Sequence, residues 1–105
     1  MQEILRLDPY TFSGKKPIKS LSSLAFGKAV RADLNLAAVD VQRAPCRIVI
    51  PSHVDYVGND FLDGLFGESL ATLKDEESFW GHYQFTVPEI VMGDIHRGIA
   101  LLYRA

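Results

Sequence analysis

The chain has 105 residues, 48% of them apolar and 23% charged, with a formal net charge of −2. That length suits one domain over residues 1–105 and leaves no room for two. The charged fraction excludes a wholly disordered chain, and the slight negative charge excludes a dedicated nucleic-acid binder, which needs a cationic excess to neutralise phosphates.

Cys46 is the one cysteine, so an internal disulfide is impossible and a reducing compartment is the simplest reading. The opening Met1-Gln2-Glu3-Ile4-Leu5-Arg6 lacks a basic stretch followed by an apolar one, the pattern of a signal peptide. No apolar run approaches the roughly 20 residues of a membrane span. These features predict a cytoplasmic protein without membrane contact.

In chain order, residues 2–7 alternate apolar and polar and predict a short strand that Asp8-Pro9 ends. Residues 11–20 hold Gly14, Pro17, Lys15, Lys16 and Lys19 and predict a polar loop. Residues 21–41 are rich in Ala and Leu with no interior proline, and predict one long helix with Ser20, Ser22 or Ser23 as N-cap. Residues 46–50 form an apolar run broken only by Arg47 and predict a strand covered on both faces. A loop through Val54 and Val57 then ends at Gly58-Asn59-Asp60, where Asp60 or Asn59 is the expected N-cap of a second helix. Phe61, Leu62, Leu65, Phe66, Ser69 and Leu73 recur at its helical spacing. Gly64 and Gly67 predict a close approach to another backbone. Asp75-Glu76-Glu77 reads as an acidic loop and 82–87 as a third strand. Pro88 opens a last helix with Val91, Ile95, Gly98, Ile99 and Leu102 on one face. Strand and helix thus alternate, which predicts an α/β fold: a small parallel or mixed sheet with helices packed on it.

The residues offer little for catalysis. Cys46 starts the most apolar strand and reads as a buried structural thiol, since Arg47 beside it points to the opposite face. His53, His82 and His96 stand in no metal-ligand spacing. His53 and His82 read as loop histidines, and His96 as half-exposed beside Met92 and Tyr103. No glycine-rich phosphate loop is present. Charge, however, is segregated. Residues 9–32 carry five cations (Lys15, Lys16, Lys19, Lys28, Arg31) and no acid. Residues 55–77 carry seven acids (Asp55, Asp60, Asp63, Glu68, Asp75, Glu76, Glu77) against Lys74 alone. Such asymmetry steers association and fixes orientation.

The stretch Ile48-Val49-Ile50-Pro51-Ser52-His53-Val54-Asp55-Tyr56-Val57-Gly58-Asn59-Asp60-Phe61-Leu62-Asp63-Gly64-Leu65-Phe66-Gly67 resembles the STAS-like family of unknown function. These are small bacterial and phage-associated domains akin to anti-sigma-factor antagonists. The upstream loop with Gly14 and Ser20 and the helix after it extend the likeness over residues 14–70. The resemblance implies a STAS-type fold, a small mixed sheet with helices against one face. It also implies action through contact with another protein, of the ATPase or kinase regulator type. Better-known relatives carry a phosphorylated serine where the helix after the central strand begins. The matching Gly58-Asn59-Asp60 has no hydroxyl, and Pro51-Ser52 stands where the family often has an acid. The resemblance therefore brings no phosphoswitch serine to this chain.

The leading expectation is a non-catalytic regulatory or adaptor domain, without cofactor or metal. Its partner surface is Tyr56, Val57, Gly58, Asn59, Asp60 and Asp63. Asp60 serves there as a helix cap in preference to a phosphate mimic. One alternative is a ligand-binding or enzymatic domain using His53, Asp55 or Asp60 at the C-terminal end of the central strand. Another is a homo-oligomeric structural or phage accessory protein whose basic and acidic faces pair between copies.

Overall fold

A computed structural model describes residues 3–104. Of the first expected strand, Gln2 lies outside the described residues, and Glu3–Arg6 forms β1. β1 pairs in parallel with the central strand β5, Cys46–Val49, which pairs in parallel with the last strand, Tyr83–Thr86. Two small sheets stand beside this one. Phe12–Ser13 (β2) and Lys16–Pro17 (β3) form an antiparallel hairpin, with Gly14 at φ +63 in its turn. Ser20–Leu21 (β4) pairs in parallel with Tyr56–Val57 (β6). The segment expected as a plain loop over 11–20 is thus held by backbone pairing. The last strand of the central sheet is β7.

The alternation of strand and helix is as the sequence predicts, and the protein is α/β. The long helix expected over 21–41 is not continuous. Ser23 caps α1, Leu24–Leu34, by accepting a hydrogen bond from Phe26 N at 3.2 Å. Asn35 then adopts φ 55 and ψ 49, a left-handed conformation that asparagine tolerates better than most residues. The chain turns there into α2, Leu36–Val41.

α3 spans Asn59–Phe66 and runs into a 3-10 turn, Gly67–Ala71. Asp75-Glu76-Glu77 is not a loop. Asp75 accepts from Ser78 N at 2.7 Å and caps α4, Glu76–His82, whose first turn holds the two glutamates. Acids there are favoured by the helix dipole, which is why an acidic run starts this helix. α5 spans Glu89–Arg104, and its first bond runs from Met92 N to Pro88 O, so Pro88 sits one residue earlier than expected.

The central strands lie in the order β1-β5-β7 with no reversal. Right-handed crossovers in such an order place every connecting helix on the same side. Burial agrees. Cys46, Ile48 and Tyr83 are buried, whereas Arg47 and Val49 are only half-buried. The expectation that β5 is covered on both faces therefore fails, because strand order and not strand composition decides coverage.

α1 and α3 cross at Gly27 and Gly64. A Cβ built on Gly64 would sit 2.7 Å from Lys28 N, and one on Gly27 would sit 3.0 Å from Leu65 N, each also clashing with a backbone carbonyl (Leu24 O and Phe61 O). Gly64 thus makes the expected close approach. Gly67 does not, since its Cβ would meet only the Asp63 side chain of its own helix. Gly64→Ala is expected to cost at least about 2–3 kcal/mol, as overpacking against backbone does. Gly93→Ala, on α5 with nothing within 4 Å of its Cβ, is expected to stabilise by about 0.5–1 kcal/mol. Urea unfolding of the two variants measures both.

Candidate functional site

The surface predicted around the start of α3 divides in two. Tyr56, Asn59, Asp60 and Asp63 are exposed, Tyr56 at 49%. Val57 and Gly58 are buried and serve as its support. Gly58 N donates to Leu21 O at 2.8 Å, and Val57 N donates to Asp94 Oδ2 at 3.0 Å. Asp94 lies on α5, is 7% exposed, and also accepts from Arg97 at 2.5 Å. This carboxylate therefore sets the height at which α3 begins. The N-cap is Gly58, not Asp60 or Asn59, and no side chain caps the helix. Asp60 lies in the first turn, where it meets the dipole without a capping bond.

The charge segregation seen along the chain is weaker in space. Lys28 shares an open depression with Asp63 and Glu68 beside the glycine crossing. Arg31 is not on a basic face at all. Its side chain is 9% exposed and that of Asp40 is 3% exposed, and they pair at 2.5 Å. Arg31 also donates to Leu65 O and Ser69 Oγ, both at 2.9 Å. Asp40 Oδ1 accepts from Ser69 Oγ at 2.7 Å and from the Tyr83 hydroxyl at 2.5 Å. One carboxylate thus joins α1, α2, the turn after α3, and β7. Next to it, buried His82 is the last residue of α4, not a loop residue, and donates from Nε2 to Val39 O at 2.7 Å.

These buried polar groups satisfy each other, which is the condition for burying charge at all. The arrangement ties α1, α2, the turn after α3 and β7 together. The other histidines are likewise occupied. His53 donates to Thr11 O at 3.0 Å and packs on Phe12, and His96 stacks on Trp80 with ring centroids 4.3 Å apart. Among the described residues no three His, Cys, Asp or Glu side chains gather as metal ligands. No helix among them is long and apolar enough to cross a membrane.

The open face of the central sheet is the other exposed feature. Ile4, Arg47 and Gln84 lie abreast on it, followed by Arg6, Val49 and Thr86. Ile4 is 57% exposed. Arg47 bonds across the face to Gln84 Oε1 at 3.2 Å and Thr86 Oγ1 at 2.9 Å. Arg6 pairs with Asp8 at 3.2 Å. At the C-terminal ends of β5 and β7 the face runs into an open cleft of about 380 Å³, lined by Arg6, Val49–Ser52 and Thr86–Pro88. His53, Asp55 and Asp60, the residues proposed for a ligand site at this edge, do not line it.

Compared with protein-family models, curated proteins and solved structures, the chain matches none of them.

Asp94, Asp40 and Arg31 were missed by sequence reasoning, yet two of them left a trace. Asp94 stands on the stripe of Val91, Ile95 and Gly98, and Arg31 on that of Gly27, Val30 and Leu34. A charge inside an apolar stripe marks a buried partner.

Removing one member of the buried pair strands the other. Asp40→Ala is expected to destabilise by about 3–5 kcal/mol and Ser69→Ala by about 1 kcal/mol, read by urea unfolding. Burial, helped by the Glu3 charge, pushes the Cys46 thiol from its ordinary 9.0 up to about 11. Burial first, then neighbouring carboxylates, pushes Tyr10 and Tyr103 up to about 12, and Tyr83 is raised in the same sense by burial and its bond to Asp40. The folded state holds protons that the unfolded chain releases. The part of the stability that these groups carry is therefore intact below about pH 9 and falls as pH rises toward 12. Cys46→Ala is expected to flatten the part of that fall between about pH 9 and 11.

Proposed function

We propose that the chain is a non-catalytic regulatory or adaptor domain that acts by binding another protein through the uncovered face of its central sheet. The carrying observation is that one face of an all-parallel sheet is buried at Cys46, Ile48 and Tyr83 while the other is half-buried or exposed, as helices on one side alone would leave it. Parallel sheets are ordinarily covered on both faces. Here the second face presents Ile4 opposite Arg47 and Val49 opposite Arg6. The partner that fits is an amphipathic helix with an apolar stripe flanked by acids. It would lie on this face as the chain's own helices lie on the other.

The likeness of residues 48–67 to STAS-like domains supports a role in protein contact and favours the start of α3 as a second contact surface. Tyr56, Asn59, Asp60 and Asp63 are exposed there, on a turn fixed by Asp94.

Affinity capture from the native host, read by mass spectrometry, separates the surfaces. An Ile4→Glu, Thr86→Glu variant is expected to retain roughly a tenth or less of a partner held by wild type, since acids then oppose acids. An Asp60→Lys, Asp63→Lys variant is expected to retain it. The reverse pattern moves the interface to α3. If folded wild type retains no protein specifically, the binding-module reading fails.

A further inference from the structure

The two outer edges of the central sheet are finished differently. In a parallel ladder, successive residues direct their N–H and C=O groups alternately to one side and the other. Glu3 N bonds to Pro45 O at 3.3 Å and Leu7 N to Val49 O at 2.8 Å. Glu3, Leu5 and Leu7 therefore face β5, and Ile4 and Arg6 face outward. On the far side, Ile50 N bonds to Thr86 O at 3.1 Å. Thr86 and Gln84 thus face β5, and Phe85 faces outward. Arg47 reaches over β7 and donates to that outward carbonyl, Phe85 O, at 3.2 Å. A side chain laid on an edge carbonyl blocks strand addition. On β1 nothing comparable occurs among the described residues. The outward N–H and C=O groups of Ile4 and Arg6 have no backbone partner among the described residues, and both side chains are exposed.

We propose that β1 pairs with β1 of a second copy of this chain, antiparallel about a two-fold axis at Leu5, so that two central sheets become one. The register follows from the sequence Glu3-Ile4-Leu5-Arg6. Residues opposite each other in antiparallel strands share a face. An axis at Arg6 would set two arginines against each other, which is unfavourable. An axis at Ile4 would pair Ile4 only with itself and leave Arg6 beyond the end of the opposing β1. An axis at Leu5 sets Ile4 opposite Arg6 of the second copy at both ends. Every outward N–H then meets an outward C=O. No like charges stand opposite, and the aliphatic stem of each Arg6 covers an Ile4 that is otherwise 57% exposed.

The pairing uses the backbone edge of β1; the Ile4 and Arg6 side chains also stand on the face assigned to a partner protein, whereas Leu5 lies on the other face, so cross-linking at Leu5 tests the pairing apart from that reading. Sedimentation measures it directly. Wild type is expected to show a reversible monomer–dimer equilibrium. Ile4→Pro deletes an outward N–H while leaving every bond to β5, and is expected to weaken dimerisation at least about tenfold with an unchanged circular dichroism spectrum. Oxidation supplies a second measurement, in a Cys46→Ala background. Leu5→Cys is expected to form a disulfide-linked dimer, because directly opposed, non-hydrogen-bonded residues bring their Cα atoms to about 4.5 Å. Ile4→Cys is expected to cross-link poorly. If Ile4→Pro does not fold, the cysteine variants decide. Wild type that stays monomeric at its highest attainable concentration overturns the proposal. So does Ile4→Pro that dimerises as wild type does, or cross-linking faster at Ile4 than at Leu5.

Discussion

The crossing of α1 and α3 at Gly27 and Gly64 is the constraint on which the rest of the interior depends. With no side chain between them, the two backbones meet at van der Waals contact. One helical turn beyond Gly27 stands Arg31, and one residue beyond Gly64 stands Leu65, whose carbonyl Arg31 reaches. The buried guanidinium is thus a consequence of the close crossing. It then demands a carboxylate, because an unpaired charge at that depth is costly. Asn35 meets that demand by turning the chain sharply, so that Asp40 returns to Arg31 only nine residues along. From Asp40 the chain of bonds passes to Tyr83 and so to the sheet. Helix packing, a left-handed residue and strand placement are parts of one requirement.

The same economy of side chains appears away from this crossing. Asp94 interrupts the apolar stripe of α5 to hold Val57 N, and Arg97 completes it. Arg47 interrupts the most apolar strand to bind Gln84, Thr86 and the edge carbonyl of Phe85. Each charge that sequence order assigns to a surface patch must first be tested against such local duties. Arg31 belongs to the interior, and Lys28 lies among acids. The net field that remains is milder than the run of cations and the run of acids suggest.

The α/β class, the central strands and, to within a residue or two, the starts of α3 and α5 were legible in the sequence, because hydrophobic periodicity and proline or glycine punctuation are local signals. The break at Asn35 was not. Residues 21–41 keep high helix propensity across it, and the reason for the turn lies in Arg31 meeting Asp40, which is tertiary. α4 was hidden for another reason. Its first turn, Glu76 and Glu77, reads as a solvated acidic run unless Asp75 is recognised as a cap for Ser78 N. In the candidate surface, exposure at Tyr56, Asn59, Asp60 and Asp63 could be read from polarity. The burial of Val57 and Gly58 could not, since it depends on β4 and on Asp94.

Why one face of the sheet is bare follows from topology alone. A strand order that advances in one direction with right-handed crossovers has no means of placing a helix on the second side. Composition adapts to that face without covering it. Ile4 and Val49 keep enough apolar character for β structure, while Arg6, Arg47, Gln84 and Thr86 keep the face hydrated. The polar network that holds the fold lies on the opposite side of the sheet, among α1, α2, the turn after α3, and Tyr83. Stability and contact are therefore carried by different residues. A domain built this way can change the chemistry of its open face over many substitutions and still fold, provided that Gly27, Gly64, Arg31 and Asp40 keep their relation.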